Sequence, residues 1–399
     1  MKRRLSKQAT ILLGVGMLFT SGLVIASTFV NVYLIRLTNN MGLMILQNVV
    51  NYCFLLGAFL FGSVYVKRGS IVNLIRLGII STVLYYSCIL LLKEKASTYL
   101  IYLGAFNGIG AGLYYFAFNI LVGKLTTDNE RAKFFSYQQS FSYVFGIVAP
   151  SISGYVIAMF SELTGYYVLF GTSVFVFIIG IILSFLLNNV STEKRYSVVP
   201  ILKLKNNKYW NTSKYYNVTY GLREAIYGQI FTVFAYLIIT TEKTVGQLGS
   251  IMSLIGVASS ILIASKFTLK TQKKYQYVYS VGYFISLGMS AIFANKTMLV
   301  VTYILNGIII CWAMTIFSTM KYQLSNRASD EKHSSGDFII ACEFPMAVGR
   351  ISGLLIFFVL NSFFGGFELY RFLLFAISLM PMLDSFIINK KINWLESES

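Results

Sequence analysis

Apolar runs of about 20 residues or more follow one another along almost the whole chain, each closed by a short polar or basic connection. They run roughly from 10 to 37, 41 to 66, 71 to 92, 97 to 123, 132 to 159 and 163 to 188, then from 216 to 240, 245 to 267, 276 to 294, 297 to 320, 338 to 363 and 369 to 389. A helix rising about 1.5 Å per residue needs about 20 such residues to cross about 30 Å of hydrocarbon. No water is present there, so each span must satisfy its own backbone hydrogen bonds, which selects helices. The pattern predicts an all-α membrane protein with 12 transmembrane helices and no soluble domain.

The basic residues orient these spans. Lys2, Arg3, Arg4 and Lys7, then Lys67 and Arg68, then Lys124, Arg131 and Lys133, then Lys194, Arg195, Lys203, Lys205, Lys208 and Lys214 fall in alternate connections. The series continues with Lys266, Lys270, Lys273 and Lys274, with Lys321, Arg327 and Lys332, and with Lys390 and Lys391, while the opposite connections hold Lys93, Lys95, Lys243 and Lys296. By the positive-inside rule both termini are cytoplasmic. The formal charge of +18 is then the mark of inner loops beside an anionic leaflet, which makes the lipid bilayer the partner of these cations and sets nucleic acid aside. Of the 399 residues 56% are hydrophobic and only 12% charged, far from a soluble mix.

The longest basic connection divides the chain into a six-helix half at 1–190, a cytoplasmic basic linker at 191–215 and a second six-helix half with a short cytoplasmic tail at 216–399. Residues 198–210 mix apolar and basic positions, which suits a short helix on the membrane surface or a plain tether. The apolar run after Met1 is about twice a signal core in length, so it reads as a retained first helix. Cys53, Cys88, Cys311 and Cys342 have no paired spacing, and His333 is the single histidine, in a polar inner loop; neither a disulfide framework nor a metal site is expected. No phosphate-binding loop is present, so ATP hydrolysis and a cofactor are not expected, and no spacing supplies the nucleophile, base or metal of a lipid-modifying enzyme.

Three local patterns add mechanics. Gly62, Lys67 and Gly69 bracket the turn after span two, with Val66 between them. Span five carries Gly146, Ala149, Pro150 and Gly154, in which small residues allow helices to approach and Pro150 frees a carbonyl, as a moving helix or a packing face requires. Gly108, Ile109, Gly110, Ala111 and Gly112 in span four, embedded in apolar sequence with no preceding strand, form a close-packing surface and not a nucleotide loop. Together with two six-span halves, these patterns resemble the major facilitator superfamily over the whole chain. The match to that family's gating turn lacks its aspartate, since Val66 stands there; the span-five pattern resembles an exporter motif; and Gly104 and Asn107 stand where exporters carry an arginine and a glutamine. The resemblance implies secondary active transport of a small molecule by alternating access. It also implies a cavity lined by spans one, four, seven and ten, here with Asn31, Asn107, Tyr114, Asn119, Tyr220, Tyr227 and Trp312.

Ionisable residues inside the bilayer each cost several kcal/mol and are seldom kept without a task. Arg223, Glu224, Glu343 and Arg350 stand out, the first three on the order of 10 Å deep at about 1.5 Å per residue. Glu343 and Arg350 lie two turns apart on one face, and a glutamate at that depth suits pairing with Arg223. Asp337 and Asp384, nearer the cytoplasmic ends, are expected to meet water or loop cations. A functional reading has Glu343 or Glu224 exchange a proton; a structural one makes the set a static lock. The expected function is proton-coupled efflux, as an antiporter, of a neutral, amphipathic or anionic compound across the plasma membrane of a bacterium. The alternatives are proton-symport uptake of a small solute and a non-transporting receptor or immunity protein.

Overall fold

The computed structural model describes residues 5–66, 69–126, 128–190, 198–266, 271–330 and 333–396. Among them the secondary structure is helical, with no strand. Among the described residues ten stretches are long and apolar enough to cross a membrane. One of these, Ile71–Leu125, comprises two helices joined by the 3-10 segment Lys93–Tyr99. The chain forms two compact units, Met1–Ser197 and Val198–Ser399.

The first unit holds α1 (Lys7–Thr38), α2 (Met41–Tyr65), α3 (Ile71–Leu92), α4 (Leu100–Leu125), α5 (Asp128–Met159) and α6 (Thr164–Ser184). Short polar side chains set the helix ends by satisfying backbone N–H groups that the helix leaves open. Ser6 accepts from the Ala9 N–H at 3.2 Å, Asn40 from Leu43 at 3.2 Å and Ser70 from Val72 at 3.2 Å. Asn39, at φ +48°, ends α1 in the left-handed conformation that Asn tolerates, so two adjacent asparagines close one helix and open the next. Gly104, Gly108 and Gly112, one turn apart, press on the carbonyls of Gln47, Asn51 and Leu55 of α2, where any Cβ would overlap backbone oxygen. Gly78 and Gly110 bring α3 and α4 together in the same way. The expected close-packing surface of span four is thus present on two faces of one helix.

The second unit holds α7 (Val198–Leu202), α8 (Lys208–Ile239), α9 (Glu242–Lys266), α10 (Gln272–Tyr283), α11 (Met289–Phe293), α12 (Lys296–Ala328), α13 (Ser335–Ala341), α14 (Glu343–Phe364) and α15 (Phe367–Glu396). A π-helical segment, Phe284–Gly288, joins α10 to α11. Helix α8 begins eight residues before the apolar run at 216, capped by Asn207, whose Oδ1 accepts from Trp210 at 2.9 Å. The side-chain amide of Asn207 also donates to the Ala328 carbonyl at 2.9 Å, and Trp210 is buried against Phe338. The last part of the expected linker is therefore packed structure of this unit. Helix α7 buries Val198 and Ile201 and lies beside α13. Helices α8 and α14 meet where Gly221 faces the Met346 carbonyl and Gly349 the Val218 carbonyl.

Large apolar side chains such as Phe61, Leu91, Ile182, Phe363 and Phe364 are more than half exposed. Water would not tolerate that much continuous apolar surface, and lipid tails do.

Candidate functional site

Adjacent residues on a helix point about 100° apart, so Arg223 and Glu224 of α8 face different neighbours. The Arg223 guanidinium lies 3.5 Å from Oδ2 of Asp384 on α15, with both side chains buried. It also sits 5.5, 5.9 and 5.5 Å from the ring centroids of Tyr220, Tyr279 and Tyr283, within range of cation–π attraction. The hydroxyls of Tyr215 and Thr219 reach the Asp384 carboxylate. Glu224 accepts a hydrogen bond on Oε2 from Nε of Arg350 at 2.8 Å, and Nη2 of the same guanidinium lies 2.7 Å from that oxygen as an ion pair. Lys321 of α12 donates to Glu343 of α14 at 3.0 Å. Charge thus links α8 to α15, α8 to α14 and α12 to α14.

This pairing differs from the expected one. Arg223 meets Asp384 and not Glu343, which is taken by Lys321. Asp384 does not face water: it is 3% exposed. Asp337 is buried as well, and accepts from the N–H and hydroxyl of Ser334 at 2.9 and 2.7 Å to start α13. Lys321 counts toward the inner-loop cations by its sequence position, yet the long α12 carries it alongside α14. Arg371 caps α11 by donating to the carbonyls of Ala291 and Ile292 at 2.8 and 2.6 Å.

Beside Arg223 opens a cavity of about 150 Å³ lined by Tyr220, Arg223, Glu224, Tyr227, Tyr279, Tyr283, Ile310, Ala313 and Met314. Tyr220, Arg223 and Tyr227, at helical spacing on α8, form one wall of it. Tyr279 and Tyr283, also one turn apart, form another wall and escaped the sequence reading because two tyrosines at helical spacing also suit plain packing. The Tyr227 hydroxyl accepts from the Asn306 amide at 3.3 Å, and Asn306 Oδ1 accepts from Ser286 at 2.8 Å. Ser286 lies in the π segment, whose wider turn is a frequent mark of functional sites. Its carbonyl accepts from Thr302 at 3.0 Å.

The other expected residues divide. Trp312 turns to Tyr275, edge to face at 5.4 Å, and is not in the cavity wall. Tyr114, expected to line a cavity, is 2% exposed and stacks on Phe19 at 3.5 Å, because the tight α3–α4 contact leaves it in the core. Asn31 on α1 and Asn107 on α4 are partly buried, and Asn119 is exposed on α4. Gly62 packs on the Phe116 ring and Gly69 on the Tyr65 ring, and Lys67 lies outside the described residues. Helix α5 runs unbroken through Pro150, which is buried with Gly154, while Gly146 is partly buried; Ser153 between them reaches the Ile25 carbonyl of α1 at 3.5 Å. Among the described residues no three His, Cys, Asp or Glu converge as metal ligands would.

A family model described as Major Facilitator Superfamily matches residues 11–339. The chain is similar, at 24% identity over 356 residues, to YqgE of Bacillus subtilis (strain 168), described as an uncharacterized protein; the match covers 89% of this chain and 83% of that protein. Among solved structures it is similar to a POT family transporter in complex with a thioalcohol-conjugated peptide, with a TM-score of 0.72, 12% identity and 96% of each chain covered. It is also similar to a bacterial homologue of the iron transporter ferroportin in its inward-facing state, with a TM-score of 0.71 and 14% identity, covering 97% of this chain and 99% of that one. At such identities these likenesses are of fold.

Proposed function

The chain belongs to the major facilitator superfamily, and on that premise we propose that it exports a neutral, amphipathic or anionic small molecule in exchange for protons, by alternating access, across a bacterial plasma membrane. We read 12 spans, six per unit, by counting α10 and α11 as one and α13 with α14 as one, and we place both termini in the cytoplasm by the basic residues of the connections. The efflux direction leans on the span-five pattern of Gly146, Pro150 and Gly154.

The observation that carries the coupling is the buried Arg223–Asp384 pair at the edge of the tyrosine-lined cavity. A proton on Asp384 removes the charge that opposes Arg223, across a contact already 3.5 Å long. Breaking a buried pair from one side changes the link between two helices by about 3–5 kcal/mol. A shift from 1:99 to 99:1 between two states takes about 5.5 kcal/mol, so one proton moves a large part of such an equilibrium. In this reading Arg223, Glu224, Glu343 and Arg350 remain a charge network, extended by Asp384 and Lys321. The more exposed Glu224–Arg350 and Lys321–Glu343 pairs keep α14 in register while Asp384 exchanges the proton.

The test is proton flux in vesicles carrying an internal pH dye, with wild type beside Asp384→Asn, Glu224→Gln and Glu343→Gln while amphipathic and anionic compounds are screened. Compound-driven proton movement in wild type and its loss in Asp384→Asn is the expected result. Compound movement with no proton movement defeats the coupling. No movement of anything in a broad screen favours the receptor or immunity reading.

A further inference from the structure

We propose that the cavity of the second unit is a binding site for a small aromatic monocarboxylate, anchored by the Arg223 guanidinium and the Tyr279 hydroxyl. The inference deepens the transport reading by naming the substrate class of the same site, and its binding step is measurable without transport.

Arg223 is 6% exposed and lines the cavity. A guanidinium has five N–H donors in a planar fork, shaped for two parallel hydrogen bonds to a carboxylate. Among the described residues Arg223 meets one charged partner, at 3.5 Å, and makes no hydrogen bond of ordinary length. Its donors are therefore largely uncommitted although the group is buried, which is uncommon for a charge kept out of water. A second, independent observation lies on another helix. The Tyr279 hydroxyl, on a residue 5% exposed, is buried with no hydrogen-bond partner among the described residues and belongs to the same cavity wall. A guanidinium with donors to spare and an unsatisfied hydroxyl on one cavity define the shape of an acceptor that the described residues do not supply.

The rest of the wall fixes the class. Tyr220, Tyr227 and Tyr283 present rings, and Ile310, Ala313 and Met314 present apolar atoms. About 150 Å³ holds a single benzene-sized ring. Once Asp384 carries the proton, the Arg223 cation is left to match one negative charge, which favours a carboxylate over a phosphate carrying close to two. Glu224 also lines the cavity, but the Arg350 guanidinium is hydrogen-bonded and ion-paired to its Oε2, so its charge is already matched and a cationic ligand would have to break that pair.

Binding of benzoate to the purified, lipid-reconstituted protein tests this, followed by calorimetry beside benzamide, benzylamine and acetate. Benzoate is expected to bind with a Kd of about 1 mM or tighter, as befits so few non-hydrogen atoms, and at least ten-fold more tightly than the other three. Removing Arg223 alone leaves Asp384 buried without its cation, so the variant of choice is the double Arg223→Gln, Asp384→Asn, with Tyr279→Phe as a milder second. Both are checked for folding by thermal unfolding. The expected losses of benzoate affinity are at least ten-fold for the double variant and about three-fold for Tyr279→Phe, the smaller because a neutral donor is lost. Absence of benzoate binding, equal binding of benzamide or benzylamine, or unchanged affinity in the folded double variant overturns the proposal. Benzoate binding in a protein that moves no protons defeats the coupling alone, whereas compound-driven proton flux without benzoate binding defeats the substrate class alone.

Discussion

Glycine-to-carbonyl contacts hold α2 against α4 in the first unit, whereas in the second unit α8 meets α14 by the same device and meets α15 through a buried charge. Among the described residues the buried polar side chains of the first unit are neutral, such as Gln47, Asn51, Thr82 and Ser173; those of the second include Arg223, Glu242, Asp337 and Asp384. Lipid gives no hydrophobic drive for helices to associate, so both units depend on close backbone approach and on polar links. The two devices differ in what can act on them. A glycine seated on a carbonyl has one state, while a carboxylate has two and a proton decides between them. In the proposed mechanism the unit that carries the buried charges is therefore the one whose helix contacts a proton can change.

The strongest way to break this comparison is to remove one side of the buried pair. Arg223→Ala leaves Asp384 buried and uncompensated, with an expected loss of about 3–5 kcal/mol, and the double Arg223→Gln, Asp384→Asn variant is expected to regain at least half of it. Thermal midpoints of the reconstituted protein give both values. A single variant as stable as wild type would mean that water already reaches Asp384 and that the second unit holds no buried charge pair. Next in size is Gly108→Leu in the first unit, where the new side chain must displace the Asn51 carbonyl of α2. Overpacking of that kind costs about 3 kcal/mol, and the expected readout is a large fall in folded yield and midpoint. Gly57, whose Cβ would meet nothing within 4 Å, is the matching control, and Gly57→Ala is expected to change the midpoint little.

How much of this was legible along the chain depends on the length scale of each interaction. The spans, their order and the small-residue faces of α4 follow from local pattern, because a helix records its own periodicity. Arg223, Glu224 and Arg350 were visible as charges where charges are costly. Which of them pairs with which was not. Which acid meets Arg223 is settled by how α8, α14 and α15 are arranged around one another, and Asp384 looked ordinary so near the end of its span. Lys321 was hidden for a related reason, since the helix continues to Ala328, beyond where the apolar run stops. The one local signal that pointed at Asp384 was an acid placed inside a span, three residues after Pro381, which removes a backbone N–H from the helix.

Smaller effects sharpen the comparison within the second unit. Glu224→Gln removes a charge-assisted pair, but the Glu224 side chain is 40% exposed, so solvent screening brings the expected cost down to about 1 kcal/mol. That is well below the Arg223 value, and the midpoint difference between Arg223→Ala and Glu224→Gln measures burial directly. Equal losses would show that the two pairs share one environment.

The smallest effect concerns the route from the π segment to the cavity. Ser286→Ala leaves Oδ1 of the fully buried Asn306 without its 2.8 Å donor, at an expected cost of about 1 kcal/mol. Asn306 in turn donates to the Tyr227 hydroxyl on the cavity wall. If the chain of hydrogen bonds acts as one unit, Ser286→Ala and Tyr227→Phe are not additive, and a double-mutant cycle on the thermal midpoint returns a coupling of about 0.5 kcal/mol or more. Additive losses would reduce Ser286 to a local fastening between the π segment and α12. A measurable coupling would instead mean that the wider turn between α10 and α11 is held in shape by the same hydrogen bonds that position the cavity wall, so that a change at one is felt at the other.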